Sequence, residues 1–400
     1  MNNFFNIIFG ISFNYKINFI GDLYYSHIFV ILSSLYFFLK KEKYFYSNLE
    51  KKIFFLGILW LINQLISDFI NQTQLYDIYK GNIKIIITLL SFFIFFRVAK
   101  YGLFKIINLF IWITLIFLII KFLFNFNLSY NWKFGIGLSL TYLLILFNNR
   151  IEKNFKFNRL LLLLIFIIGI FSLFIGTRYI FLFNTIFLII IFLTQYLKKI
   201  RPISLIIILI VSSFLIVPLY SKFIKSDLIE ADLSQKFNNQ ASGDLGPLVG
   251  GRTEILSSIK AISDKPIFGH GSWPRNCEYL LYLDEKLLSL NYQTKLNLNN
   301  CLIPTHSVIF GSWVQSGIFG FIFWLYIIFY VFKSIKNILL NKNFELNRYS
   351  NLVIYLSIVC IWDILFSPFG ANRMIILPLY LVIIFGDFIK KDFKTNKQLK

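Results

Sequence analysis

The feature that most constrains this chain is the length of its apolar runs. Leu160 to Ile175 and Phe321 to Phe332 contain no charged residue, and similar stretches recur from end to end. They are too continuous for the one-sided 3.6-residue spacing of a soluble helix and read as membrane spans. Composition agrees: 57% of residues are hydrophobic, 20% aromatic and only 15% charged, with a mean hydropathy of +0.69. A soluble domain of 400 residues needs far more polar surface than this. The expected fold class is therefore an all-α polytopic membrane protein.

Spans are expected near 3–18, 20–39, 53–70, 83–99, 103–123, 132–148, 160–176, 179–197, 203–219, 306–332, 349–366 and 372–389. Their bounds carry an uncertainty of roughly four residues. The first is the least apolar, because Asn2, Asn3, Asn6, Asn14 and Lys16 interrupt it. The count is about twelve with it and eleven without. No cleavable signal peptide is expected, since no basic residue precedes Lys16 and no small-residue cleavage site follows.

Charge orients the bundle. The formal net charge is +21, but the basic residues cluster at 40–52, 97–105, 150–159, 198–201, 333–348 and 390–400. Those clusters hold 24 basic residues against six acidic ones when Asp387 is included, whereas Tyr220 to Thr305 carries nine of each sign. This is the positive-inside pattern: the basic surface faces the cytoplasm and anionic lipid headgroups, and the long loop faces outward. The basic balance thus reports orientation rather than a nucleic-acid partner. The organisation expected is N-terminal spans over 1–219, an outer loop over 220–305, and C-terminal spans with a cytoplasmic tail over 306–400.

The loop has a pattern of its own. A run with Gly243, Gly246, Gly250 and Gly251 leads into a helix placing Ile255, Leu256, Ile259 and Ile262 on one face. Pro266, Gly269 and Gly271 mark a turn, and 276–290 reads as a second amphipathic helix. A structured loop of this length is usually functional.

Three basic residues of the outer side can carry chemistry. Arg178 follows Gly176-Thr177 in a short turn between spans, where a charge is costly without a partner, although its stem can also snorkel to the interface. Arg252 follows a Gly-Gly pair and opens the first loop helix, where backbone N–H groups and a guanidinium suit phosphate. His306 comes two residues after Pro304, in the first turn of the next span. Gly317 lies eleven residues later, about three helical turns on, with Gly320 close to the same line. That face would let a neighbouring helix approach closely. Histidines, cysteines and carboxylates show no metal-ligand spacing, so no metal and no cofactor is expected.

Four segments in order resemble the bacterial O-antigen ligase and O-antigen polymerase superfamily. They are the Gly176-Thr177-Arg178 turn, Arg252 with Leu256 four residues on, Asp264-Lys265-Pro266-Ile267-Phe268-Gly269-His270-Gly271, and His306-Ser307 with Gly317 and Gly320. Asn is the more frequent residue of the family at the position of Ser307. The resemblance implies transfer of a glycan from undecaprenyl diphosphate to an acceptor at the periplasmic face of the bacterial inner membrane. In the ligase branch the acceptor is lipid A–core; in the polymerase branch it is a second lipid-linked glycan. It implies that Arg178 and Arg252 bind the diphosphate and that His306 is the general base, without a metal and with inversion at the anomeric carbon. In an oxidising periplasm, Cys277 and Cys301 are a candidate disulfide. A lipid-linked glycan flippase predicts more charge deep in the spans than Asp68, Lys121 and Asp363 supply. A metal-dependent membrane glycosyltransferase needs an acidic pair in the first outer loop, where Asp22 stands alone.

Overall fold

The computed structural model describes residues 3–18, 22–40, 47–124, 131–148, 155–196, 231–244, 246, 250–292, 300–340, 349–370 and 372–389. The described chain is mostly helical. It opens with α1 (Asn3–Ser12), a hairpin of β1 (Lys16–Asn18) and β2 (Asp22–Tyr24) pairing Ile17 with Leu23, and α2 (Tyr25–Leu39). Then come α3 (Asn48–Ile70), α4 (Leu75–Lys100) and α5 (Leu103–Phe124). A π-helical turn (Trp132–Ile136) leads into α6 (Gly137–Asn148), followed by α7 (Phe155–Phe174) and α8 (Arg178–Tyr196). The loop contributes α9 (Ala231–Ala241), α10 (Glu254–Asp264) and α11 (Cys277–Ser289). The chain returns through α12 (Val308–Leu340), α13 (Ser350–Phe366) and α14 (Arg373–Ile384).

Among the described residues four helices are long and apolar enough to cross a membrane: α3, α4, α5 and α12. The other apolar helices of the bundle, including α2, α6, α8, α13 and α14, are shorter. The first expected span differs in kind. The helix stops at Ser12, and Lys16 to Asn18 enter a strand, because polar Asn14 and Lys16 favour leaving an apolar helix there. The expected span at 203–219 lies outside the described residues.

α3 shows why this bundle belongs in a membrane. Phe55, Ile58, Ile62, Leu65, Ile66 and Phe69 face outward, with Phe69 85% exposed, whereas Asn63, Gln64, Ser67 and Asp68 are buried. The apolar stripe is on the outside and the polar stripe inside, the reverse of a water-soluble helix. α4 fills the centre, with Ile85, Phe92, Phe95 and Phe96 buried. α14 packs along it, and α12 lies between α3 and α13. At the α3 start and α4 end, Arg97 pairs with Glu50 at 3.2 Å, both buried.

The loop helices are short and tied down. On α10 the buried face is Ser257, Ser258, Ala261 and Ile262, whereas Ile259, expected on the apolar face, is 53% exposed. The helix turns its serines inward because their hydroxyls meet the Pro304 carbonyl. Leu256 packs toward Leu283, Leu287 and Tyr292. α9 is not evident in its polar sequence; its buried Phe237 rests on Leu173. A disulfide joins Cys277 to Cys301, 24 residues apart, closing α11 back onto the strand-like contact of Arg275 with Leu302. Loop closure of this length stabilises by about 3 kcal/mol. A Cys277→Ser/Cys301→Ser chain is therefore expected to be cut within the loop far faster in limited proteolysis.

Candidate functional site

Arg178 is presented by a tight turn. Gly176 takes a φ of +79°, and Thr177 bonds the Ser172 carbonyl through its N–H (2.8 Å) and its hydroxyl (2.9 Å), so α8 starts at Arg178. The guanidinium donates to Gln240 Oε1 at 3.1 Å and lies 4.8 Å from the Phe237 ring, both on α9. The adjacent Tyr179 hydroxyl donates to the Lys133 carbonyl in the π-helical turn.

Arg252 and His306 line one small cleft together with Glu254, Ile255, Ser258, Ser307, Leu365 and Phe366. Two sets of hydrogen bonds bring them there. The Ser257 and Ser258 hydroxyls lie 3.2 and 3.1 Å from the Pro304 carbonyl and share their single protons between it and the Glu254 carbonyl of their own helix, at 3.0 and 2.8 Å, which ties the chain just before His306 to α10. The Ser307 hydroxyl donates to the Ile364 carbonyl of α13 at 3.2 Å and accepts from the Phe310 N–H, capping the start of α12. His306 is thus held from both sides by its neighbours, while its own ring is exposed and makes no hydrogen bond within the described residues. The Arg252 guanidinium donates to the Gly251 carbonyl at 2.8 Å, sits 5.9 Å from the Trp362 ring and leaves its Nε–H buried without a partner. An unspent buried N–H of a guanidinium suits an incoming anion.

Electrostatics favour a neutral imidazole. Partial burial pulls the His306 pKa below its ordinary value of about 6.5, and Arg252, Arg373 and Lys133 push the same way against Glu254. Burial also pulls the Arg252 guanidinium down, with Glu254 opposing.

A second structure supports the cleft from the side. α12 is broken at Ser316 and Gly317, where Gly317 takes φ +61° and ψ −154°. The turn 265–271 enters this break: His270 N–H donates to the Val314 carbonyl (2.7 Å), Gly271 N–H to Gln315 (3.0 Å), and Ile318 N–H to the Ile267 carbonyl (3.1 Å). Gly269, at φ +77°, comes so close that an added Cβ would stand 2.6 Å from the Gly317 nitrogen. The carbonyls freed by the break are met from α3, as the interior of a membrane requires. Asn63 donates to the Ser316 and Ile267 carbonyls, Ser67 to the Gln315 carbonyl at 3.0 Å, and Trp60 to the Ser316 hydroxyl at 2.7 Å. Asp68 accepts from the Ser272 hydroxyl at 2.9 Å, and Gly271 N–H donates to the Ser67 hydroxyl at 2.8 Å. His270 is committed here, its Nε2 being 2.8 Å from the Ala261 carbonyl.

The structure therefore brings Arg252, His306 and Ser307 together and puts Gly269, Gly271 and Gly317 in the supporting contact. Gly320 packs where α3 passes closely, since a Cβ added to it would stand 3.0 Å from Trp60 Nε1. Arg178 is not among the cleft's lining residues. His306 and Gly317 do not share a helical face, since α12 starts at Val308 and breaks before it reaches a third turn. Glu254, Ser257, Ser258 and Trp362 are site residues that sequence reasoning misses. Among the described residues no group of three or more His, Cys, Asp and Glu gathers where it could hold a metal ion.

Residues 161–325 match the family model described as O-antigen ligase. The interval runs from α7 into α12 and contains Arg178, Arg252, His306 and the Gly269–Gly317 contact. No curated protein and no solved structure matches the chain.

Proposed function

We propose, from the match of residues 161–325 to the O-antigen ligase family model, that the chain is a membrane glycosyltransferase of the ligase type. It moves a glycan from undecaprenyl diphosphate to lipid A–core at the periplasmic face. The observation that carries this reading is the shared cleft of Arg252 and His306, a cation with an unspent N–H beside an unbonded imidazole. The donor's diphosphate already leaves well once its growing charge is neutralised, and Arg252 supplies that neutralisation without a metal. Arg178, at the start of α8, is the second diphosphate ligand in this reading. His306 takes the proton from the acceptor hydroxyl as the C–O bond forms on the face opposite the leaving diphosphate, which inverts the anomeric carbon. The exposed apolar faces of the bundle receive the polyprenyl tail.

Analysis of carrier-linked glycans in a deletion strain tests the assignment. Loss of this chain is expected to leave long glycans on the carrier lipid. Single repeat units accumulating instead would assign the polymerase reaction, and an unchanged glycan pool would reject both.

A further inference from the structure

The end of α13 forms a wall of the cleft, residue by residue. Trp362 lies beside the Arg252 guanidinium, the Ile364 carbonyl accepts from Ser307, and Leu365 and Phe366 line the cleft itself. The remaining residue of that turn, Asp363, has a different partner: its Oδ1 pairs with Arg373 Nη2 at 3.1 Å. Arg373 opens α14 and also donates through Nη1 to the Pro368 carbonyl at 3.1 Å, so its guanidinium is fastened twice to the segment that walls the cleft. Its Nε–H stays buried without a partner. A structural clamp explains the two bonds. It does not explain why the guanidinium is placed where its charge reaches Arg252, since like charges repel.

We propose that Arg373 is a positioning residue of the cleft, the fixed positive charge of its C-terminal wall, which acts on a bound diphosphate and on His306 through space while Asp363 holds it in place. The proposal rests on the transfer reading above for its ligand, a diphosphate. The departing diphosphate gains a negative charge beyond the two that Arg252 and Arg178 offset, and a cation held on the cleft's wall favours its binding. The charged groups acting on His306 are Glu254 and Arg252 at the start of α10, Arg373 on α14 and Lys133 in the π-helical turn. Asp363, the partner of Arg373, is not among them.

The chain has three histidines, so 13C-labelled histidine spectra of the full protein in nanodiscs, assigned with His306→Gln, follow His306 directly. Arg373→Gln is expected to raise the His306 titration midpoint by about half a pH unit or more, whereas Arg373→Lys leaves it in place. With inorganic pyrophosphate as the probe, Arg373→Gln is expected to raise the concentration that perturbs His306 about tenfold. Unchanged values in Arg373→Gln, or equal effects of glutamine and lysine, overturn the proposal and leave only a clamp. Should Arg373→Gln fail to elute as a folded protein, the double variant Asp363→Asn/Arg373→Gln decides: it leaves neither partner of the pair charged and alone, and it is expected to raise the midpoint, because Arg373 acts on His306 and Asp363 does not. No change or a fall in that variant overturns the idea. None of these readouts needs a glycan donor. A series that behaves as expected in a chain without transferase activity therefore rejects the transfer reading and not the role of Arg373.

Discussion

A His306→Ala variant is expected to lose glycan transfer by about 10²- to 10⁴-fold while its donor KM changes little, the range associated with removing a general base. The surroundings of the ring are the reason. Ser257, Ser258 and Ser307 hold the backbone on either side of His306, and the imidazole, partly covered by the cleft it lines, stays unbonded within the described residues. A ring held this way is free to accept a proton. Its pKa lies below about 6.5, because burial, Arg252, Arg373 and Lys133 outweigh Glu254. The base is active only when neutral, so the wild-type rate rises as pH rises through that lowered value and is flat above it. His306→Ala is expected to remove this acid limb along with the rate. Arg252→Ala differs in kind: it raises donor KM as well as lowering kcat, and Arg252→Lys restores only part, since an ammonium lacks the two-pronged geometry. Transfer measured with purified protein across pH 4.5 to 8 checks both. Wild-type rates in His306→Ala and Arg252→Ala would overturn the catalytic assignment.

The helices are legible because apolar length is a property of the sequence alone. The expected spans at 53–70, 83–99 and 103–123 correspond to Asn48–Ile70, Leu75–Lys100 and Leu103–Phe124. The grouping of Arg252 with His306 comes from the family resemblance. No local spacing relates residues 54 positions apart. The expectation that Gly317 shares a face with His306 does not hold, because helical periodicity presumes an unbroken helix. A signal of the break is present in α3. Trp60, Asn63 and Ser67 recur every three or four residues on one face, and such donors within an apolar helix announce acceptors released nearby. Ser257 and Ser258 are hidden differently, since hydroxyls in a loop helix give no sign of which carbonyl they meet. Asp363 stands out in the sequence only as a charge in a span; its pairing with Arg373 crosses a turn that spacing does not resolve.

Gly317→Ala is expected to destabilise the protein by roughly 3–5 kcal/mol, combining strained backbone and overpacking. At φ +61° and ψ −154° the residue occupies a region that glycine alone adopts readily, and an added Cβ would overlap the Ile267 carbonyl. Neither neighbour can yield cheaply. The Ile267 carbonyl accepts from both Ile318 and Asn63, and the facing Gly269 already stands at the closest approach its own missing side chain permits. Relieving the overlap means withdrawing the turn 265–271, which forfeits the bonds of His270 and Gly271 to Val314 and Gln315. The loss then reaches the cleft by a covalent route. That turn follows α10 directly, and α10 holds the Pro304 carbonyl through Ser257 and Ser258. The variant is therefore expected to lower the thermal midpoint and to impair transfer in the fraction that still folds. Gly370→Ala is the control, because a Cβ there meets nothing within 4 Å, and its midpoint is expected to match wild type. Thermal unfolding followed by size-exclusion elution measures both. Equal midpoints for the two variants would show that the glycine contact does not hold the loop in place.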